Sequence, residues 1–173
     1  GAGFFAFLAV GPAYFEKEFG ITGAAFGVNW TYMAFAFLLG ATGGARLVQR
    51  FGRTRIFNVF LALCTAIGLT HPGLIALAGA TPVTIVAPFV VLSGCLGVIS
   101  PLALSNAIAT QPGMAGTASG LCGALAMAVA AVFTIVAGLI YTGGAYSIVL
   151  AMTAAMVSMA LCGFLARAKQ NAV

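Results

Sequence analysis

From Ile56 to Ala166 the chain runs for 111 residues without one Asp, Glu, Lys or Arg. An ordinary soluble domain takes about a quarter of its residues from those four types, or about 28 over that length. A stretch of this kind has no means of building a water-facing surface, so the solvent it predicts is lipid. In lipid every backbone amide and carbonyl must find a partner inside the protein, which restricts spanning structures to α-helices and closed β-barrels. Barrel strands alternate in character over ~10 residues, whereas these runs are longer and apolar on every face. The expected fold class is therefore an all-α membrane protein. Composition agrees, with 62% hydrophobic and 5% charged residues. The 23 glycines follow no Gly-X-Y period, which excludes collagen, and frequent Gly and Pro within apolar runs suit membrane helices.

Polar breaks divide the chain into six apolar segments, about 1–15, 23–47, 55–79, 83–109, 114–140 and 145–166. The breaks are Glu16-Lys17-Glu18, Gln49 to Arg53, Ala80-Thr81-Pro82, Gln111-Pro112-Gly113 and Thr142-Gly143-Gly144. All are short, as hairpin connections between neighbouring helices should be. The whole chain, 1–173, then reads as one six-helix bundle. It begins at Gly1 with an apolar run shorter than the ~20 residues that cross a bilayer, and no basic stretch precedes that run as in a signal peptide. The expectation is that it is the C-terminal part of a longer protein.

Six of the seven basic residues fall in two places, Arg46, Arg50, Arg53 and Arg55 around the junction of the second and third segments and Arg167 and Lys169 after the sixth. Counting crossings puts both on the same side, which the positive-inside rule makes cytoplasmic. The predicted location is a bacterial inner membrane, with both ends of the segment cytoplasmic. A basic excess placed this way reports topology and predicts no nucleic-acid partner. Cys64, Cys95, Cys122 and Cys162 fall one per segment with no C-x-x-C pair and no His or carboxylate nearby. They read as small packing residues, and neither metal nor cofactor is expected.

Small residues mark particular helix faces. Gly40-x-x-x-Gly44 in the second segment has the spacing that lets two membrane helices approach closely. Gly116, Gly120 and Gly123 share a face of the fifth at 100° per residue, so packing or a sliding hinge is the role expected of these glycines. In the fourth, Ser93, Gly97 and Ser100 share a face, and Pro101 follows, removing a backbone hydrogen bond and bending the helix.

At the second junction the sequence reads Gly43-Gly44-Ala45-Arg46-Leu47-Val48-Gln49-Arg50-Phe51-Gly52-Arg53-Thr54-Arg55. Its Arg50-Phe51-Gly52-Arg53 core resembles the loop motif of major facilitator superfamily transporters, G-x-x-x-D-R-x-G-R-[KR], with Ala45, Gln49 and Thr54 departing from it. Gly94 to Pro101, Ala115-Gly116-Thr117-Ala118-Ser119 with Gly123, and Phe4-Phe5-Ala6-Phe7 with Gly11-Pro12 are similar to the Bcr/CflA drug-resistance branch, a family of drug:proton antiporters. The resemblance implies the seventh to twelfth helices of a twelve-helix fold whose N-terminal half is absent. It further implies a multi-pass secondary transporter that exports drugs or other amphipathic molecules by alternating access. Its partners would be the bilayer, the missing half, a small-molecule substrate and a proton. The first and fourth helices would line the cavity through Phe4, Leu8, Ser93, Gly97 and Ser100. The second and fifth would meet the missing half, and Arg46, Gln49, Arg50, Gly52 and Arg53 would form the cytoplasmic loop. A metabolite or sugar transporter of the same superfamily is the alternative, with more amides and charges expected in its cavity.

Proton coupling requires an intramembrane group that titrates, usually Asp, Glu or His. No carboxylate lies in the apolar segments, and His71 is the only histidine; its place before Pro72 reads as an interfacial polar residue, so the proton carboxylate is expected in the absent half. An enzyme is not expected. Ala118-Ser119-Gly120 is similar to the G-x-S-G of rhomboid intramembrane proteases, but Thr117 stands at the motif's glycine. His71 also precedes the serine, where a rhomboid base follows it.

Overall fold

The computed structural model describes residues 1–109 and 112–170. Gln111 and the side chains of Arg167 and Lys169 lie outside the described residues. The helices are α1 (Ala2–Phe19), α2 (Gly23–Phe51), α3 (Arg53–Ala78), α4 (Pro82–Ala109), α5 (Ala115–Ile140) and α6 (Ala145–Gln170), with one 3-10 turn at Pro112–Met114 and no strand among the described residues. Five, α2 to α6, are long and apolar enough to cross a membrane.

Two helices run further than the charge breaks predict. Glu16, Lys17 and Glu18 complete the last turns of α1, which stops where Gly20 turns left-handed at φ 64° and its N–H returns to Glu16 and Phe15. Arg50 likewise belongs to the last turn of α2, which ends at Gly52. Long charged side chains at a helix end reach out to water while the backbone stays helical, so it is glycine that ends these helices. Gly52 alone joins α2 to α3. Its φ of 85° is a conformation other residues reach only at a cost.

The main packing partners are α2 with α4, α1 with α5, α3 with α6, α3 with α4, and α1 with α6. Exchanging α1, α2 and α3 for α4, α5 and α6 maps this set onto itself. Directions follow from individual contacts. Gly40 meets Gly94 and Gly44 meets Val98, so α2 and α4 run parallel, whereas Leu61 meets Gly163 and Gly68 meets Met156, so α3 and α6 run antiparallel. Each short connection reverses the chain, and three is odd. The two triplets are therefore related as inverted repeats.

Prolines inside the helices leave carbonyls four residues earlier without a helical donor, and neighbouring helices supply two of those donors. Pro72 frees the Gly68 carbonyl, which accepts from Thr153 Oγ1 of α6 at 2.7 Å. Pro88 frees the Thr84 carbonyl, which accepts from His71 Nε2 of α3 at 3.1 Å. Because a carbonyl only accepts, the His71 proton sits on Nε2 and Nδ1 is bare; Nδ1 is buried and unpartnered. His71 is 1% exposed, so it is a pin between α3 and α4 and not the interfacial residue expected from its position.

A candidate ligand cavity at mid-height

Where α1, α2 and α4 come together they leave a cavity of about 390 Å³, within the range of small-molecule sites. It is lined by Gly1, Phe4 and Phe5, by Trp30, Met33, Ala34 and Phe37 of α2, and by Ser93, Leu96 and Ser100 of α4. One turn spacing explains the α2 wall: residues 30, 33, 34 and 37 recur at three and four and share one face. The same periodicity places Ser93, Leu96 and Ser100 on the facing side of α4.

Helix α2 comes this close to α4 because glycines on both helices leave room for backbone contact. A Cβ on Gly40 would overlap the Gly94 carbonyl, and one on Gly97 would overlap the Phe37 carbonyl and lie 2.9 Å from the Ala41 amide nitrogen. Val98 methyls would lie 3.1 Å from a Cβ on Gly44. Such contact between backbones is what small-residue spacing permits in a bilayer.

Aromatic rings close the bundle on the side of the cavity nearer Glu16 and Glu18. Phe7 stacks on Phe89 at 4.3 Å, Phe15 meets Phe26 edge-on at 5.1 Å and Phe7 at 6.2 Å, and all four are buried. Phe4 joins this cluster to the cavity, edge-on to Phe89 at 6.2 Å and to Trp30 at 5.6 Å.

Of the cavity residues expected from sequence, Phe4, Ser93 and Ser100 come together here, with Ser93 only 1% exposed. Leu8 does not: one turn further along α1 the aromatic cluster fills the interior, and Leu8 points out, 44% exposed. Gly97 is turned to the α2 backbone and lines a different cavity, of about 410 Å³, with Gly44, Gln49, Arg53, Pro101 and Ser105. Sequence reasoning missed Phe5, Trp30, Met33 and Phe37. The available signal was the aromatic stripe on α2 that contains the chain's one tryptophan.

The basic junction is arranged around α4. Arg53 Nη2 donates to the Leu102 carbonyl at 3.1 Å, just past Pro101, tying the start of α3 to the C-terminal part of α4. Arg50 lies over the Phe51 ring at 5.3 Å. Arg46, Gln49, Arg50 and Arg53 are all exposed.

The two glycine faces part company. Gly40 and Gly44 pack within the bundle against α4, whereas Gly116, Gly120 and Gly123 meet nothing within 4 Å. The packing expected of the latter three is therefore absent among the described residues, because α5 is held through its other faces, Ala130 and Ala137 being its buried residues. Cys64 and Cys95 are buried, Cys122 is half-buried and Cys162 is exposed. Among the described residues no three of His, Cys, Asp and Glu cluster as metal ligands. No family model, curated protein or solved structure matches the chain.

Proposed function

We propose that this chain is the six-helix half of a secondary transporter that moves small amphipathic molecules across a membrane by alternating access. The observation that carries the reading is a ligand-sized cavity at mid-height, set between triplets of helices related as inverted repeats. Transporters built this way hold substrate near the bilayer midplane at the repeat interface and rock one bundle against another around it. In this reading α2 to α6 cross the membrane, the arginine end is cytoplasmic, and the family is the major facilitator superfamily, Bcr/CflA branch. The bare glycine face of α5 is where a second six-helix unit would slide.

The cavity wall supports an apolar or amphipathic cargo over a sugar. Among the described residues its polar side-chain groups are two hydroxyls and one indole, set among Phe4, Phe5, Met33, Phe37 and Leu96. A polyol would lose more hydrogen bonds to water than such a wall returns. Glu16 and Glu18 are exposed at one end of α1 and His71 is held in a carbonyl bond, so the proton-carrying carboxylate belongs to the other half.

The test is export from cells stripped of their own efflux pumps and carrying the full reading frame that encodes this chain. Loaded with an uncharged hydrophobic dye, they should lose it faster than control cells, and an uncoupler should abolish the difference. Equal retention across a panel of such dyes would contradict the proposal.

A further inference from the structure

One group in the cavity wall has no partner. Trp30 Nε1 is buried and makes no hydrogen bond, although a buried donor left unpaired is costly. An indole can only donate. Among the described residues no charged side chain lines the cavity, so an ion entering it would lose its water without gaining a counter-charge. A cation would keep only ring faces and an anion only neutral indole and hydroxyl donors, neither of which replaces a counter-charge.

Resting on the reading of this cavity as a substrate site, we propose that Trp30 is its specificity-determining donor. The ligand it selects is an uncharged, largely apolar molecule carrying a hydrogen-bond acceptor such as a carbonyl oxygen. Protein atoms cover the indole nitrogen, and the Phe4 ring stands edge-on at 5.6 Å. Ligand entry parts that contact and brings the acceptor onto Nε1–H, while Phe37, Met33 and Leu96 take the apolar body.

Trp30 is the only tryptophan in the chain, so indole-15N labelling of the protein in lipid nanodiscs yields a single resonance that reports on this wall. Three probes separate the possibilities: benzophenone, diphenylmethane, which differs from it by replacing the carbonyl with a methylene, and tetraphenylphosphonium as a cation. Benzophenone should move the indole proton downfield at a concentration about tenfold below that at which diphenylmethane perturbs it, a ratio expected of one added hydrogen bond. Irradiated benzophenone should label Met33 or Leu96, and Trp30→Phe should reduce that labelling about tenfold while leaving the thermal unfolding midpoint within a few degrees.

Equal titration by ketone and hydrocarbon, with no downfield movement, would overturn the donor role and leave the cavity as a binding site. Tighter binding of tetraphenylphosphonium than of benzophenone would overturn the uncharged ligand. If none of the three disturbs the resonance and labelling falls elsewhere, the cavity reading itself fails.

Discussion

Replacing His71 by Phe removes the donor that reaches the carbonyl freed by Pro88, while keeping a ring beside Phe89, whose centroid is 6.0 Å away. Leaving a buried carbonyl unpaired costs about 1–3 kcal/mol, but side-chain hydrogen bonds between membrane helices average about 0.6 and reach about 1.7 kcal/mol. The unpartnered Nδ1 also disappears, which offsets part of the loss. A net cost of about 1 kcal/mol follows, roughly a fivefold shift in the unfolding equilibrium. The distinguishing step is to repeat the substitution in Pro88→Ala. There the residue-88 amide can donate to the Thr84 carbonyl as in any helix, and His71→Phe should cost little. Equilibrium unfolding of the four proteins in mixed micelles gives the coupling directly, and about 1 kcal/mol is expected. If the two single effects add to within about 0.3–0.5 kcal/mol, the residues are independent and the pinning argument is refuted.

The same logic predicts that Thr153→Val loses about 1 kcal/mol in the native background and much less beside Pro72→Ala, read by the same unfolding assay. Gly97→Ala drives a methyl into the Phe37 carbonyl and should lose about 2 kcal/mol or more by overpacking. Gly120→Ala, with open space around it, should leave the bundle unchanged or about 0.5–1 kcal/mol more stable through helix propensity; equal losses at both positions would contradict the assigned packing. Gly52→Ala must hold φ near 85° and should lower stability by about 1–2 kcal/mol, detectable as a lower thermal midpoint, whereas an unchanged midpoint would mean the junction relaxes.

The helices were legible because lipid removes the usual ambiguity of amphipathic patterns: a long run without charge is a helix or it is not inserted at all. Their ends were less so. Glu16 to Glu18 and Arg50 look like loop residues on composition, yet they sit within helical turns because their side chains extend to water from the rim. The cavity divides the same way. Ser93 and Ser100 were visible as hydroxyls on one face of an apolar helix, whereas Trp30 and Phe37 became wall residues only through the direction in which Gly40 and Gly44 turn α2. Spacing shows that two helices can touch but not which partner they choose. Gly40 and Gly44 found α4, and the similar glycine face of α5 found nothing among the described residues. His71 misled because its place near a proline at a helix end suits an interface, while its role comes from Pro88, seventeen residues further along.

Alternating access is tested most directly at Ser100, on the cavity wall and exposed. A single cysteine placed there, in the protein as encoded with its native cysteines changed to serine, would be labelled in sealed vesicles of known orientation by a membrane-impermeant thiol reagent. The account predicts labelling from the arginine side under one direction of pH gradient and from the Glu16 side under the other. Labelling from one side only, whatever the gradient or substrate, would contradict it.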